Sequence, residues 1–316
     1  MGKYILKRTG MMVFVLFLIV SISFFTLRLM PGGPYEDDPD LSPEALEALN
    51  AKLHLDKPLP VQYYYYMRGI LLDSDWGTSI KLRPGLPVFE VLKERIPASA
   101  ILNILSLFVC IPLGILSGTI AAVCKNKWPD YIISFFVVIC ISVPSFVFSS
   151  CLQYFIAGKA QLLPLIFDAT GDSIAQLKSL ILPVMALSFG PIATITRYLR
   201  GELTENLNSE YMLLAQTKGL RQGQAIVRHA FRNSMVPLAN IIIPMFTDIL
   251  GGSMVVEGIF GIPGIGGILV DSINASDYSL AMGALLFYSF ISIATTLLVD
   301  ISYGFIDPRI RVGGKK

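Results

Sequence analysis

Residues 97–123 read PASAILNILSLFVCIPLGILSGTIAAV, a stretch of 27 residues without a charged side chain. A helix that crosses a bilayer needs about 20 predominantly apolar residues, so this stretch is long enough. Backbone groups in lipid must be satisfied within the segment itself, which makes a helix the expected structure. Similar stretches recur, and the six predicted spans are residues 9–30, 97–123, 131–157, 178–199, 236–256 and 279–304. The sequence predicts an all-α polytopic membrane protein with six transmembrane helices.

The composition agrees with a membrane protein. Of the 316 residues, 53% are hydrophobic and only 15% are charged. Soluble domains carry roughly 25% charged residues, so much of this surface is expected to face something other than water. The first apolar run follows basic residues, as in a signal peptide, but no small-x-small cleavage site follows it. We therefore interpret it as an uncleaved first helix.

The distribution of charge predicts the orientation. Lys and Arg are in excess before the first span, between spans two and three, between spans four and five, and after the sixth. Residues 31–96 instead hold eleven acidic and seven basic groups, and residues 257–278 hold three acidic and no basic groups. Because basic loops stay cytoplasmic, both termini should face the cytoplasm. The predicted parts are an N-terminal transmembrane helix (1–30), an extracytoplasmic helical lid segment (31–96), a five-helix core (97–304) that includes a cytoplasmic loop (200–236), and a cytoplasmic tail (305–316).

Two outward segments have features of their own. Ser42-Pro43-Glu44 is typical of a helix start, and a second helix is expected over residues 61–72 around four consecutive tyrosines. Tyrosines often lie at the water–lipid boundary, although contact with a ligand or another protein is the alternative. Residues 87–95 should form a short amphipathic helix before the second span. The glycine-rich segment 257–278 is expected to be an irregular re-entrant turn.

The loop between spans four and five predicts two short helices. Residues 210–217 are good helix formers, and Gly219 is a natural terminator of that helix. Ala215 and Gly219 are four residues apart, so two small residues on one face should permit close approach of another surface. A second helix is expected over residues 224–233, with Arg228 and Arg232 on one face. The loop is therefore predicted to place a short helix across the cytoplasmic side.

Motifs in this loop and elsewhere occur in a recognisable order. The loop holds Glu210-Tyr211, Ala215, Lys218-Gly219-Leu220, Arg228-His229-Ala230, Arg232-Asn233 and Pro237. This order resembles the cytoplasmic signature (EAA) loop of ABC importer permeases, most closely the peptide/nickel branch, with Leu213-Leu214-Ala215 in place of Glu-Ala-Ala. Segments 55–61, 75–79, 256–266 and 307–311 resemble the first of the two peptide permeases in the same family.

The resemblance implies a fold and a set of partners. The fold would be the type I ABC importer permease (MetI-like) fold with an extra extracytoplasmic segment between helices one and two. The partners would be a second homologous permease, two cytoplasmic ABC ATPases that bind ATP and Mg, and an extracytoplasmic peptide-binding protein that delivers peptide. The chain itself would need no cofactor and no catalytic residue. The residues implied in coupling to the ATPases are Glu210, Tyr211, Ala215, Lys218, Gly219, Leu220, Arg221 and Arg228.

One intramembrane acid is a candidate for the substrate path. Asp248 lies within the fifth predicted span, where an ionisable group is a functional candidate and could meet a peptide ammonium group. Import of nickel, glutathione or another small solute remains open, as do a stand-alone secondary transporter and a membrane-embedded enzyme. The two histidines of the chain do not favour a metal site, and nothing suggests nucleic-acid binding.

Overall fold

The computed structural model describes residues 2–29, 44, 47, 50–51, 54–247 and 251–306. Within these residues the chain is helical, and the one extended pairing is an isolated bridge between Thr78 and Pro87. The helices are α1 (Gly2–Leu29), α2 (Leu59–Arg68), α3 (Val88–Val123), α4 (Trp128–Ser142), α5 (Ser145–Leu152), α6 (Ser173–Leu207), α7 (Glu210–Thr217), α8 (Gln222–Ala225), α9 (Arg232–Thr247), α10 (Met254–Phe260), α11 (Ile268–Asn274) and α12 (Tyr278–Ile306). Three π-helical turns, Gly69–Asp73, Gln153–Lys159 and Ile226–Phe231, follow α2, α5 and α8.

Four helical segments in the described part of the chain are long and apolar enough to cross a membrane. They are Leu6–Leu29, Val88–Val123, Ser173–Leu207 and Tyr278–Val299. Helix α4 and the segment Ser145–Lys159 would make a fifth span only as a pair bent by 104°. The span predicted over residues 131–157 is therefore broken by a sharp bend, and it crosses the membrane only if the bent pair acts as one span. Pro144 holds the preceding Val143 in an extended conformation (φ −94°, ψ 123°), which ends α4.

Three further predictions concern the span 236–256, the helix at Ser42 and the amphipathic stretch 87–95. The expected span 236–256 coincides with α9 and α10, but residues 248–250 lie outside the described residues, so a sixth span stays a prediction. The expected helix at Ser42 also falls largely outside them. The amphipathic stretch 87–95 is continuous with α3, which passes through Pro97 without a break. Neighbouring side chains and local adjustment allow proline inside helices of this kind.

The segment 257–278 is more regular than its glycines predicted. It contains the end of α10 and all of α11. Ser253 caps α10, because its Oγ accepts a hydrogen bond from the Val256 N–H at 3.4 Å. Gly261 ends the helix with φ +65°, a backbone conformation that glycine adopts without strain. Glycines thus lie at the end of α10 and at the start of α11, and the segment does not form one irregular turn.

The chain divides into two compact units, and the first comprises residues 1–97 and 264–297. Its apolar core includes Val88, Leu92, Ile265, Ile268 and Leu280. In the tyrosine run, Tyr63 stacks on Phe25 and Tyr66 stacks on Phe24, with ring centroids 5.3 and 5.2 Å apart. Two of the four tyrosines therefore bind α2 to α1, an intrachain role that the sequence did not indicate.

A buried carboxylate organises the loop of this first unit. Asp277 is fully buried and caps α12, since its Oδ1 accepts the Leu280 N–H at 3.2 Å. Its Oδ2 accepts a hydrogen bond from Ser79 Oγ at 2.5 Å. The same oxygen accepts three successive backbone N–H groups, those of residues 80–82, at 3.0 to 3.1 Å. One side chain thus fixes the segment after α2 to the start of the last helix.

The second unit comprises residues 98–263 and 298–316, and two glycines allow a close helix crossing within it. Gly114 and Gly118 lie one turn apart on α3. A Cβ at Gly114 would lie 2.7 Å from the Cβ of Ile195 on α6, and one at Gly118 would lie 3.0 Å from the carbonyl oxygen of Thr196. Ser117 Oγ and Thr196 Oγ1 are 2.6 Å apart across the same contact. Small residues one turn apart let membrane helices approach closely, as here.

We expect Asp277→Ala to destabilise the first unit by about 3 kcal/mol, because several donors lose their acceptor at once. Limited trypsin digestion of the full chain in detergent should show faster cleavage at Lys81 and Arg83. Asp271→Ala is the matched control, since Asp271 lies in the same segment 257–278 but is exposed. Equal cleavage rates for the two variants would contradict the role given to Asp277.

Candidate functional site

Helix α7 has a sharply defined end. Lys218 is its C-cap residue, and Gly219 follows with φ +91°. The Gly219 N–H donates to the Gln216 carbonyl at 2.9 Å, and the Leu220 N–H donates to the Ala215 carbonyl at 3.2 Å. These two bonds form a Schellman motif, in which a left-handed residue closes the helix. The prediction that Gly219 terminates the helix is confirmed.

The inner face of α7 belongs to the core of the second unit. Met212 and Ala215 are buried, in a cluster that also contains Leu203, Ala225 and Ala230. Ala215 is therefore covered by this chain itself and not open to another molecule. This corrects the expectation that Ala215 and Gly219 form one outward face of small residues. Gly219 does face open space, so its requirement for glycine comes from its backbone conformation.

The outer face of α7 is apolar at its centre. Leu213 is 65% exposed and Leu214 is 54% exposed, and we call this pair the apolar knob. The charged residues predicted for the site are exposed as well, namely Glu210, Lys218, Arg221 and Arg228. Apolar side chains that project from a charged surface are typical of a site for another protein. The knob was not among the predicted site residues, since only the burial of Ala215 shows which side faces out.

A single carboxamide joins α7 to two longer helices. Asn206, near the end of α6, accepts a hydrogen bond from Tyr211 Oη on α7 at 2.6 Å. Its Nδ2 donates to Ser234 Oγ on α9 at 2.9 Å. Ser234 is fully buried and donates to the Ala230 carbonyl at 2.9 Å. Tyr211 was a predicted site residue, whereas Asn206 and Ser234 were not, because nothing in their spacing indicates a three-helix contact. We call these three side chains the Asn206 node.

An ion pair fixes α4 to α6 six residues before that node. Arg200 donates through Nε to Asp130 Oδ1 at 2.6 Å and through a terminal nitrogen to Oδ2 at 2.7 Å. The Asn126 N–H also donates to Oδ2, at 2.9 Å. Asp130 is only 1% exposed, and a bidentate pair of this kind is strong and directional. The sequence identified Arg200 only as one of the basic groups that set the orientation.

The return from α7 passes through a π-helical turn. The Arg221 N–H donates to Gln224 Oε1 at 3.3 Å at the start of α8. The turn Ile226–Phe231 then carries Arg228 with an exposed side chain and leads directly into α9. The predicted second helix is therefore present, but one of its turns is a π-helix, and π-helical turns are frequent at functional sites.

Asp248, the candidate for the substrate path, lies outside the described residues.

Two family models match the chain. The first, "Binding-protein-dependent transport system inner membrane component", covers residues 110–312, which include the node and the knob. The second, "Binding-prot-dependent transport system membrane comp, N-term", covers residues 1–103. Together they account for nearly the whole sequence.

Curated relatives agree with these models over their full lengths. "Dipeptide transport system permease protein DppB" of Lactococcus lactis subsp. cremoris is 39% identical over 99% of this chain and 100% of its own length. The protein of the same description from Bacillus subtilis is 35% identical over 100% of both chains. "Oligopeptide transport system permease protein OppB" of Salmonella typhimurium is 36% identical over 98% of this chain and 100% of its own.

A solved structure is also similar to this chain. A chain of the MetNI methionine ABC transporter in inward-facing conformations superposes with a TM-score of 0.49 and 14% identity. The superposition covers 67% of this chain and 96% of that one. On the family models and the full-length relatives, the chain belongs to the inner membrane components of binding-protein-dependent transport systems, as an ABC permease similar to dipeptide and oligopeptide permeases.

Proposed function

We propose that this permease forms half of the translocation path of an ATP-driven peptide importer and is driven by ATPase subunits through α7. The observation that carries the proposal is the arrangement of α7, with its apolar knob exposed on one face and its other face anchored in the core. An exposed apolar pair on a short anchored helix suits a handle that another protein grips. The two full-length DppB relatives and the OppB relative support peptide as the cargo class.

The proposed partners follow from the family. A second homologous permease would complete the path, two cytoplasmic ATPases would bind ATP and Mg, and an extracytoplasmic binding protein would deliver peptide. The charge pattern supports cytoplasmic termini, which puts α7 on the side where ATP is available. The chain is proposed to be the first permease of its pair, with residues 31–96 as the segment peculiar to that subunit and a sixth span through residues 248–250.

The mechanism we propose is mechanical. An ATPase that holds the apolar knob would move α7 when its dimer closes. Tyr211 would pass that displacement to Asn206, and Asn206 would pass it to α6 and, through Ser234, to α9. Alternating access requires such rigid-body motion of packed helices around a fixed path. Glu210, Lys218, Arg221 and Arg228 would lie around the docking surface, while Gly219 and Leu220 keep the end of α7 in place.

Gly219→Ala should uncouple hydrolysis from uptake. A side chain at φ +91° costs about 1–2 kcal/mol, which is roughly a tenfold loss in the population of the correct helix end. In the assembled importer, ATP hydrolysis should persist while peptide uptake falls by about that factor. The control is Gly223→Ala, because Gly223 lies in the helix α8 with open space beside it. Uptake equal in the two variants would contradict the proposal.

Charging the apolar knob should release the ATPases. Leu213→Glu combined with Leu214→Glu places two charges where an apolar partner surface is expected, at no cost to the core. Co-purification of the ATPase pair with the permease from membranes should fall by at least about tenfold, as for a loss of 1.4 kcal/mol or more. Gln222→Glu, an exposed change in the same loop, should leave co-purification unchanged. Retention of the ATPases by the double variant would remove α7 as the docking site.

Asp248 stays a candidate for contact with the peptide ammonium group. We expect Asp248→Asn to weaken uptake of peptides with a free amino terminus more than uptake of N-acetylated peptides, because only the former carry the charge that an aspartate attracts. Competition assays with both classes of peptide would measure the difference. An identical effect on both classes would exclude Asp248 from the path.

A further inference from the structure

A cavity of about 360 Å³ lies within the first unit, on the side that the charge pattern turns outward. It is bordered by the end of α1, by α2 with its π-helical turn, by the segment around Trp76 and by the start of α12. Pockets for small molecules have volumes of roughly 300–1,000 Å³, so the cavity is of a size for one small ligand. Coupling through α7 does not involve it.

A buried amide side chain supports one wall of this cavity. Gln62 is only 8% exposed, and its Nε2 donates to the carbonyl oxygens of Leu55 at 3.2 Å and Lys57 at 2.8 Å. These two bonds fix the orientation of the amide, because only the NH₂ group can donate. The Oε1 atom of Gln62 is buried and has no hydrogen-bond partner within the described residues. The two bonds of Nε2 fix the chain around Leu55 and Lys57 to the start of α2, which holds this wall of the cavity in place.

Charges of both signs line the same cavity. Arg28 and Arg68 contribute guanidinium groups, and Asp73 and Asp75 contribute carboxylates. Among the described residues, no ion pair joins either arginine to either aspartate. One carboxylate oxygen of Asp75 accepts the Gly77 N–H at 2.8 Å, which leaves its second oxygen available to a ligand. Unpaired charges of opposite sign around one cavity are complementary to a ligand that carries both.

The remaining lining is apolar and aromatic. Phe24, Leu27 and Met282 provide apolar surface, and Tyr66 and Trp76 provide ring faces. The guanidinium of Arg28 already lies over the Phe24 ring, 5.5 Å from its centroid. Aromatic faces attract ammonium groups, and apolar side chains bury an uncharged portion of a ligand. The cavity therefore suits a zwitterion that also carries an apolar group.

We propose that this cavity binds a short peptide by its two termini, the carboxylate at Arg28 and Arg68 and the ammonium group at Asp73 and Asp75. The proposal rests on the proposed function, which places the cavity on the face where peptides arrive. The permease would then contact peptide itself, before the substrate enters the path between the helices. An ethanolamine phospholipid headgroup has the same two charges and is tested as the competing source.

Trp76 makes the site directly measurable. The chain has two tryptophans, Trp76 and Trp128, and Trp128 is 73% exposed on α4. In a Trp128→Phe chain, all tryptophan fluorescence therefore comes from the cavity. The full chain in mixed micelles of detergent and phosphatidylcholine, which contain no other tryptophan, is titrated with the dipeptide alanyl-leucine. We expect a saturable change in emission, and an affinity about tenfold weaker for the N-acetylated dipeptide amide, which lacks both terminal charges.

Two variants and one control locate the contacts. Arg68→Gln and Asp73→Asn change exposed side chains and should each weaken dipeptide binding by about tenfold. Arg83→Gln, an exposed arginine of the same unit that does not line the cavity, should leave the affinity unchanged. The absence of a saturable response, an equal response to the blocked dipeptide, or a response to added phosphatidylethanolamine alone would overturn the site.

Uptake by the assembled importer separates this proposal from the proposed function. If the Trp128→Phe chain supports peptide uptake but Trp76 gives no response to dipeptide, the cavity proposal fails and the proposed function stands. If the importer assembled with the unaltered chain takes up no peptide, the proposed function fails, whatever Trp76 reports.

Discussion

The hydrogen bonds of the Asn206 carboxamide are the interaction on which the position of α7 in the second unit depends. Its oxygen accepts from Tyr211 and its nitrogen donates to Ser234, so one rigid planar group joins α6, α7 and α9. A helix of eight residues is marginal in isolation and would not keep a fixed position by itself. Tertiary contacts therefore hold α7 in place, and the node supplies a directional contact where apolar packing alone would allow sliding. The proposed transmission of force through α7 would depend on these contacts.

Two buried carboxylates each hold a pair of segments in a fixed relative position. Asp277 fixes a loop to the start of α12, and Asp130 fixes α4 to α6 through Arg200. Apolar packing tolerates small shifts, whereas a buried carboxylate that loses its donors is strongly disfavoured. These buried polar contacts define one arrangement of the segments more than they raise the free energy of unfolding. Within each unit, helices joined in this way can move together, which an importer that alternates between two openings requires.

The sequence predicted the features that depend on local chemistry, and missed those that depend on neighbours far along the chain. The apolar spans followed from length, and the end of α7 at Gly219 followed from the backbone freedom of glycine. The angle of the bend at Pro144 depends on packing against other helices, which the local sequence does not specify. Asn206 contacts a residue 28 positions away, so no local pattern could reveal it. Likewise, the outward face of α7 is defined by what covers Ala215.

The burial pattern of α7 explains how Leu213-Leu214-Ala215 can stand in place of Glu-Ala-Ala. The third residue, Ala215, faces the core of the second unit, where its small side chain fits beneath the helix. The first two residues face out, so their chemistry has only to match the partner. In the proposed docking, two exposed leucines would bury apolar area, worth roughly 25 cal/mol per Å². Such a contact is insensitive to salt, unlike a pair of surface charges, whose attraction is screened. The triplet thus has one position fixed by this chain's own core and two positions that the proposed contact with an ATPase would determine.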